Sequence, residues 1–102
     1  MLGRVTTART HTVSDYDTPH DGHAREDYFG EVSVDRRTFE QKAHAVTVQE
    51  VSWPGITIEA RSVMDLTFSA SGVDVAIDTW VSRNGDEVSH RTWRETVPRP
   101  WS

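Results

Sequence analysis

Hydrophobic and polar residues alternate over much of the second half of the chain, a pattern typical of strands that bury one face. One run covers residues 56–70, and Ile56, Ile58 and Leu66 lie on its apolar side. A second run follows the break at Ser71-Gly72. Its apolar side consists of Val73, Val75, Ile77, Thr79 and Val81. The two runs predict long, half-buried strands.

The pair Asn84-Gly85 separates the second run from the last one, and it is typical of a type I′ hairpin turn, in which both central residues need positive φ. If Arg83 faces Asp86, the opposing pairs are Val81 with Val88, Thr79 with His90, and Asp78 with Arg91. Branched apolar pairs and opposite charges across two strands are stabilising. In this register, one face of the hairpin carries Asp74, Asp78, Trp80, Arg91, Trp93 and Glu95.

The first half of the chain has a weaker pattern. Arg4 to Val13 alternates and predicts an edge strand, whereas Ser14 to Asp27 is rich in Asp, Gly and His and predicts a loop. Asp35 to Val51 predicts a long strand, with a short helix around Phe39 as the alternative. The dipeptide Pro54-Gly55 then predicts a turn.

We therefore predict an all-β fold, a single antiparallel β-sandwich or a small jelly-roll-like barrel of about five or six strands. Residues 1–30 would form a polar, acidic N-terminal arm that is partly mobile, and residues 31–102 the β-domain. Pro98 and Pro100 would end the last strand, because proline cannot donate a ladder hydrogen bond.

Composition narrows the possible functions. The chain has 102 residues, with 11 Lys and Arg against 16 Asp and Glu, so neither nucleic acid nor an anionic membrane is an expected partner. The absence of cysteine excludes disulfides, thiolate metal sites and cysteine nucleophiles. No apolar run approaches the roughly 20 residues that span a bilayer. Because Met1 to Val13 lacks the apolar core of a signal peptide, we expect a cytoplasmic location.

Three histidines are candidates for chemistry. His20 and His23 lie near Asp17 and Asp21, and imidazole with carboxylate could hold a divalent metal. A polar loop without metal is the favoured interpretation, and no cofactor is expected. No catalytic residue is assigned, although His90 could act as a general base near neutral pH. A hydrogen-bonded core histidine is the favoured interpretation there.

Tryptophans and their charged neighbours are the candidate binding or interface residues. They are Trp53, Trp80, Trp93, Asp78 and Arg91. Trp and Arg often anchor interfaces, and Trp also stacks on flat ligands. The hairpin face that carries them could be the wall of a second layer, a subunit interface or a ligand floor. Trp53, beside the Pro54-Gly55 turn, could close the end of the β-layer or line the mouth of a pocket.

Residues from about 35 to 101 resemble the C-terminal β-domain of the CocE/NonD family of serine hydrolases, which includes acyl esterases and X-Pro dipeptidyl-peptidases. The segment Ile58–Met64 is similar to the family's "ETR..M" strand, and the alternating strand and turn from Val73 to Gly85 follow it. Arg91–Arg99 is similar to the closing "R.W...IPRD" motif. The resemblance implies a jelly-roll-like β fold.

The same family's catalytic features are missing from this sequence. The chain has no G-x-S-x-G nucleophile elbow, Pro100 stands where the family has aspartate, and Ala70-Ser71-Gly72 replaces a His-aromatic motif. The resemblance therefore implies no esterase activity. The first hypothesis is a stand-alone, non-catalytic binding or assembly module, its partner a second copy of the chain or a separate hydrolase-like subunit. The alternative is a small β-barrel enzyme, a cyclase or isomerase, with a tryptophan-lined pocket for a hydrophobic small molecule.

Overall fold

Six antiparallel strands make up most of residues 5–98, which are the residues that this computed structural model describes. The strands are β1 (Val5–Thr18), β2 (Gly22–Asp35), β3 (Gln41–Trp53), β4 (Ile56–Phe68), β5 (Gly72–Arg83) and β6 (Asp86–Pro98). Each strand pairs with the next in sequence, so the sheet is a meander in the order β1 to β6. The predicted all-β, antiparallel fold class and the number of strands are confirmed.

The sheet is a single open layer. Its edges, β1 and β6, do not pair with each other, and no barrel closes among residues 5–98. The molecule measures 53 × 32 × 21 Å and has a radius of gyration of 17.8 Å, whereas a compact domain of this length has about 13 Å. Among the described hydrophobic residues only Ala24 is fully buried. The second layer of a sandwich is therefore not supplied by residues 5–98.

Short turns join the strands where the sequence places Pro, Gly and Asn. Asn84 and Gly85 both have positive φ, which confirms the predicted type I′ turn, and Gly55 has a φ of 82° in the turn after Pro54. The Asn84 side chain accepts a hydrogen bond from the Thr57 backbone N–H at 2.8 Å. This bond ties the β5–β6 turn to the start of β4, and so it fixes one end of the sheet.

The first third of the chain differs from its prediction. Ser14 to Asp27 is not a loop, because its residues belong to β1 and β2 with a short turn between Thr18 and Gly22. The charged residues that suggested a loop instead occupy alternate positions of two paired strands, with Asp15 opposite Arg25 and Asp17 opposite His23. Polar residues 5–30 are thus part of the same sheet as the rest of the chain.

The segment after β2 forms a turn and then the predicted strand. Residues 36–40 connect β2 to β3, with Arg37 and Thr38 donating backbone hydrogen bonds to the Asp35 carboxylate. Phe39 has a positive φ of 60° and is exposed. The alternative of a short helix around Phe39 is not observed, and β3 begins at Gln41.

A β-bulge changes the predicted register of the last hairpin. Arg83 faces Asp86 as predicted, but the register shifts between Ser82 and Val81, so that Val88 has no partner. Beyond the bulge, Asp78 faces Thr92 and Trp80 faces His90. The predicted Asp78–Arg91, Val81–Val88 and Thr79–His90 pairs are therefore wrong, because one extra residue reverses the faces of everything that follows.

Three predictions concern residues outside the described range. Arg4, the predicted first residue of the edge strand, and Pro100, a predicted strand terminator, both lie there. So does Arg99, the last residue of the closing motif. Pro98 is the last residue of β6, as expected of a residue that ends a ladder.

Candidate functional site

The register divides the side chains into two faces, because partners in neighbouring strands project to the same side of a sheet. We define the apolar face as the even-numbered residues of β1, β2 and β4 together with the odd-numbered residues of β3 and β5. In β6 it includes the odd-numbered residues from Ser89 onward. The opposite side is the charged face. The alternation predicted for β4 and β5 is confirmed, since the even-numbered residues from Ile56 to Phe68 and the odd-numbered residues from Val73 to Val81 share the apolar face.

The apolar face has halves with different side-chain sizes. Strands β4 to β6 form the large-residue half, which includes Met64, Leu66, Phe68, Val75, Ile77 and Trp93. Strands β1 to β3 form the small-residue half, named for Ala8, Gly30, Ala43 and Ala45, which lie near one another, although Tyr28 and Trp53 also lie on this part of the face. The small residues floor a hollow of about 340 Å³ beside Tyr28 and Val32.

Exposure is unusually high on the large-residue half. Trp93 is 57% exposed and Val97 is 46% exposed. The strand residues Val75 and Ile77 are only half-buried although their strand lies inside the sheet. Nothing in residues 5–98 covers this surface. A contiguous apolar surface of this kind marks an interaction site in proteins that stay in solution.

A row of hydroxyl groups crosses the middle of the apolar face. The row follows the register through all of the first five strands, as Thr12, Tyr28, Thr47, Ser62 and Thr79. Ser62 Oγ lies 3.3 Å from Thr79 Oγ1. Arg91 continues the row in β6. A polar line therefore crosses the middle of the apolar face, and the adjacent row adds the polar residues Ser14, Glu26 and Gln49.

The charged face is held together by pairs between neighbouring strands. Arg9 Nε lies 2.8 Å from Glu31, and Thr96 donates to Asp74 at 2.7 Å. Four histidines of the strands also contact aspartates: His11 with Asp27, His23 with Asp15 and Asp17, His44 with Asp65, and His90 with Asp78. Pairs of opposite charge across two strands favour the pairing of those strands. This face therefore satisfies most of its charges within the sheet.

The cluster around Trp80 is the densest arrangement on the charged face. Trp80 stacks on His90 with ring centroids 4.8 Å apart, and the Arg61 guanidinium lies 5.7 Å from the indole. Asp78 accepts hydrogen bonds from Thr92 at 2.6 Å and from Arg94 at 3.3 Å. A hollow of about 230 Å³ lies beside Trp80 and Arg61, with Glu59 and Glu87 also in its lining.

Two ionisable groups on this face have shifted pKa values, one raised and one lowered. The hydrogen bond to Asp17, together with the charge of Asp15, raises the pKa of His23 above its ordinary value of 6.5 despite an opposing effect of desolvation. The hydrogen bond from Thr92, together with Arg94, lowers the pKa of Asp78 below its ordinary value of 3.8. In both cases the charged form is favoured by its partners on neighbouring strands.

The structure separates residues that the sequence placed together. Trp80 and Asp78 lie on the charged face with His90, whereas Trp93 and Arg91 lie on the apolar face. Trp53 is also on the apolar face, where its indole lies against Gly22 in the neighbouring strand. Trp53 thus covers the end of the β-layer, and the three tryptophans do not line one pocket.

The predicted metal-binding residues are also separated. His20 lies in the β1–β2 turn with a positive φ of 66°, while His23 in β2 contacts aspartates of β1. Within residues 5–98, no group of three or more His, Asp or Glu side chains is arranged to hold a metal ion. Sequence reasoning missed Arg61, Arg94 and the hydroxyl row, since only the register brings them beside their partners.

Comparisons with protein families, characterised proteins and solved structures give no significant match to this chain. Residues 5–98 contain no helix, and therefore none that could cross a membrane.

Proposed function

We propose that this chain is a non-catalytic β-module that binds another polypeptide through its apolar face. One observation carries the proposal: a six-stranded single layer leaves one apolar face without cover, and only Ala24 among its described hydrophobic residues is buried. A β-sheet with one apolar face needs a second layer to bury that face. Because residues 5–98 supply none, the second layer is best supplied by a partner.

The family resemblance supports the same proposal. The segments that resemble the C-terminal domain of CocE/NonD hydrolases fall on β4, β5 and β6, which are adjacent strands and carry the large-residue half of the apolar face. Under this proposal these strands belong to one layer of a two-layer β-sandwich, and the hydrolase triad plays no part. A cytoplasmic location stays a prediction of the sequence.

The proposal can be tested on the unmodified chain. Molar mass is measured by light scattering at several protein concentrations, and the accessibility of each face is measured by carbene footprinting with mass spectrometry. We expect an assembly in which Val75, Ile77 and Trp93 are protected, while the charged face is labelled. A chain whose apolar face is labelled as strongly as its charged face would contradict the proposal.

A small-molecule site is the second candidate function, and the hollow beside Trp80 favours it. Its lining combines an indole with Arg61 and two glutamates, and His90 with Asp78 supplies an acid–base pair nearby. The charge of this lining suits a flat, polar ligand better than a hydrophobic one. Quenching of tryptophan fluorescence by a panel of small molecules, lost in Trp80→Phe, tests this candidate.

A further inference from the structure

We propose that the partner on the apolar face is a second copy of this chain, related by a two-fold axis parallel to the strands. This inference rests on the proposed function, because it names the partner of the same surface. In such a dimer each β6 lies over β1 of the other copy, β5 over β2, and β4 over β3. Two aligned sheets packed in this way form a sandwich.

Side-chain size supports this arrangement. One row of register partners runs across the apolar face as Thr10, Gly30, Ala45, Met64, Ile77 and Trp93. The axis reverses the row, so Trp93 of one copy lies over Thr10 of the other, Ile77 over Gly30 and the Tyr28 ring that lies against it, and Met64 over Ala45. Large residues thus enter the 340 Å³ hollow floored by small ones.

The neighbouring row repeats this property at one of its three pairs. When the row is reversed in the same way, Leu66 would lie over Ala43, Val75 over a residue of its own size, Val32, and Glu95 over Ala8. A two-fold axis perpendicular to the strands would instead place each strand over itself. The large-residue halves would then collide while the small-residue halves stayed apart, which favours the axis parallel to the strands.

Several polar groups of the apolar face also have counterparts in this dimer. Because an axis parallel to the strands brings each row over its own reversal, the hydroxyl row meets itself across the interface, with Thr79 over Tyr28 and Ser62 over Thr47. Arg91 has no ion pair among residues 5–98, and Glu26 receives a single long hydrogen bond there, 3.5 Å from the Tyr16 hydroxyl. In the dimer Arg91 lies over Thr12 of the other copy. Glu26 of that copy is in the adjacent strand, two residues along from the register partner of Thr12, so the two extended side chains can meet.

The surface is large enough for a stable dimer. Six strands of about 13 residues present a face of about 1,200 Å² when strands are about 4.8 Å apart and residues about 3.3 Å apart. A standard stable interface needs about 800 Å² from each partner. The charged face is less suitable, since its ionic groups already pair within one sheet.

A charge exchange tests the partner and the geometry together. Sedimentation velocity would measure the dimer dissociation constant of the unmodified chain, Glu26→Arg, Arg91→Glu and the variant with both changes. We expect each single change to raise the dissociation constant at least tenfold, because it places like charges together. The double variant should return to within about threefold of the unmodified chain. Asp27→Arg, the same charge change on the charged face, is the control and should leave dimerisation unchanged.

Other outcomes separate this inference from the proposed function. If the unmodified chain dimerises with its apolar face protected, but the single changes have no effect or the double change does not restore affinity, this geometry is wrong and the module function survives. If the chain is monomeric, the second copy is not the partner and this inference is wrong. A monomer whose apolar face is labelled as strongly as its charged face also contradicts the proposed function. A dimer with a labelled apolar face would indicate pairing through β1 or β6 and would overturn both.

Discussion

The two faces of this sheet are built from the same six strands, yet their side chains differ in whether they find partners within the sheet. On the charged face, donors and acceptors find partners on neighbouring strands, as His44 does with Asp65 at 2.6 Å and Arg9 with Glu31 at 2.8 Å. On the apolar face, neighbouring strands provide side-by-side contacts but nothing above the sheet, so Trp93 and Val97 remain exposed.

The difference follows from the range of the interactions. A hydrogen bond or ion pair needs one partner at one distance, and an adjacent strand can supply it. Hydrophobic burial requires that water be removed from a whole surface, which a single layer cannot do. The charged face can therefore be complete in one chain, whereas burial of the apolar face requires a second layer.

The largest expected effect is a charge at the centre of the apolar face. Ile77→Lys places an ammonium group where the second copy would pack, and burial of an unpaired charge is strongly unfavourable. We expect the dimer dissociation constant to rise by at least about 100-fold, which is roughly 2.7 kcal/mol. Sedimentation velocity gives the constant, and circular dichroism reports whether the sheet persists.

Ala76→Lys is the matched control for this change. Ala76 is the adjacent residue of β5 and lies on the charged face, opposite Asp65 in β4. The same lysine there should leave dimerisation unaltered. Equal weakening by the two lysines would mean that the two faces do not differ in the way described.

The second prediction compares two tryptophans of one hairpin. Trp93→Ala should weaken the dimer about 10–100-fold, because a large aromatic residue that anchors an interface commonly contributes about 2 kcal/mol or more. Trp80→Ala removes the stack on His90 and should lower the stability of the sheet by about 1 kcal/mol, while dimer affinity stays the same. Light scattering and thermal unfolding measure the two quantities separately, and a reversed order of effects would assign the interface to the charged face.

A third prediction concerns the bulge that sets which face each β6 residue occupies. Deletion of Val88 removes the unpaired residue and leaves all later pairs in place. We expect the fold to persist, with a change in the thermal midpoint of less than about 8 °C, which corresponds to about 1 kcal/mol in a domain of this size. Deletion of Thr92, within the paired part of the strand, should instead lower stability much more, since it reverses the faces of one end of β6.

The smallest effect is expected on the charged face as a function of pH. Since the folded-state pKa of His23 is raised above 6.5, its stabilising contribution is fully present below pH 6.5 and is lost as pH rises through the folded pKa. The free energy of unfolding of the unmodified chain should therefore exceed that of His23→Gln below pH 6.5, and the difference should disappear as pH rises through the folded-state pKa. Urea unfolding at a series of pH values measures it. His20→Gln, in the adjacent turn, is the control and should keep the pH dependence of the unmodified chain. An advantage that increases with pH would contradict the Asp15 and Asp17 contacts.

Local sequence signals predicted a large part of the fold. Asn84-Gly85 and Pro54-Gly55 marked turns because their backbone requirements are met by few residues. The alternation in β4 and β5 predicted which residues share a face, and the structure confirms it. These patterns depend on the backbone preferences of a few adjacent residues, and so they can be recognised without knowledge of the tertiary contacts.

Predictions that needed long-range information were less successful. Ser14 to Asp27 resembled a loop because its charged residues are those of turns, but paired strands place Asp15, Asp17 and several of the others on the charged face. The cluster around Trp80 was also not predicted, since Arg61 and Arg94 belong to the neighbouring strands β4 and β6. No pattern within either segment signals these neighbours.

The amino-acid sequence by itself determined the β class, the positions of the central turns and the apolar alternation of β4 and β5, because these depend on local backbone preference and a period of two. The tertiary structure decided which face of the sheet carries Trp93, Arg91 and His90. One unpaired residue, Val88, shifts the register and so exchanges the two sides of β6. It also decided that the sheet is a single layer. Whether an apolar strand face is covered depends on what packs above it, and alternation along one strand carries no information about that.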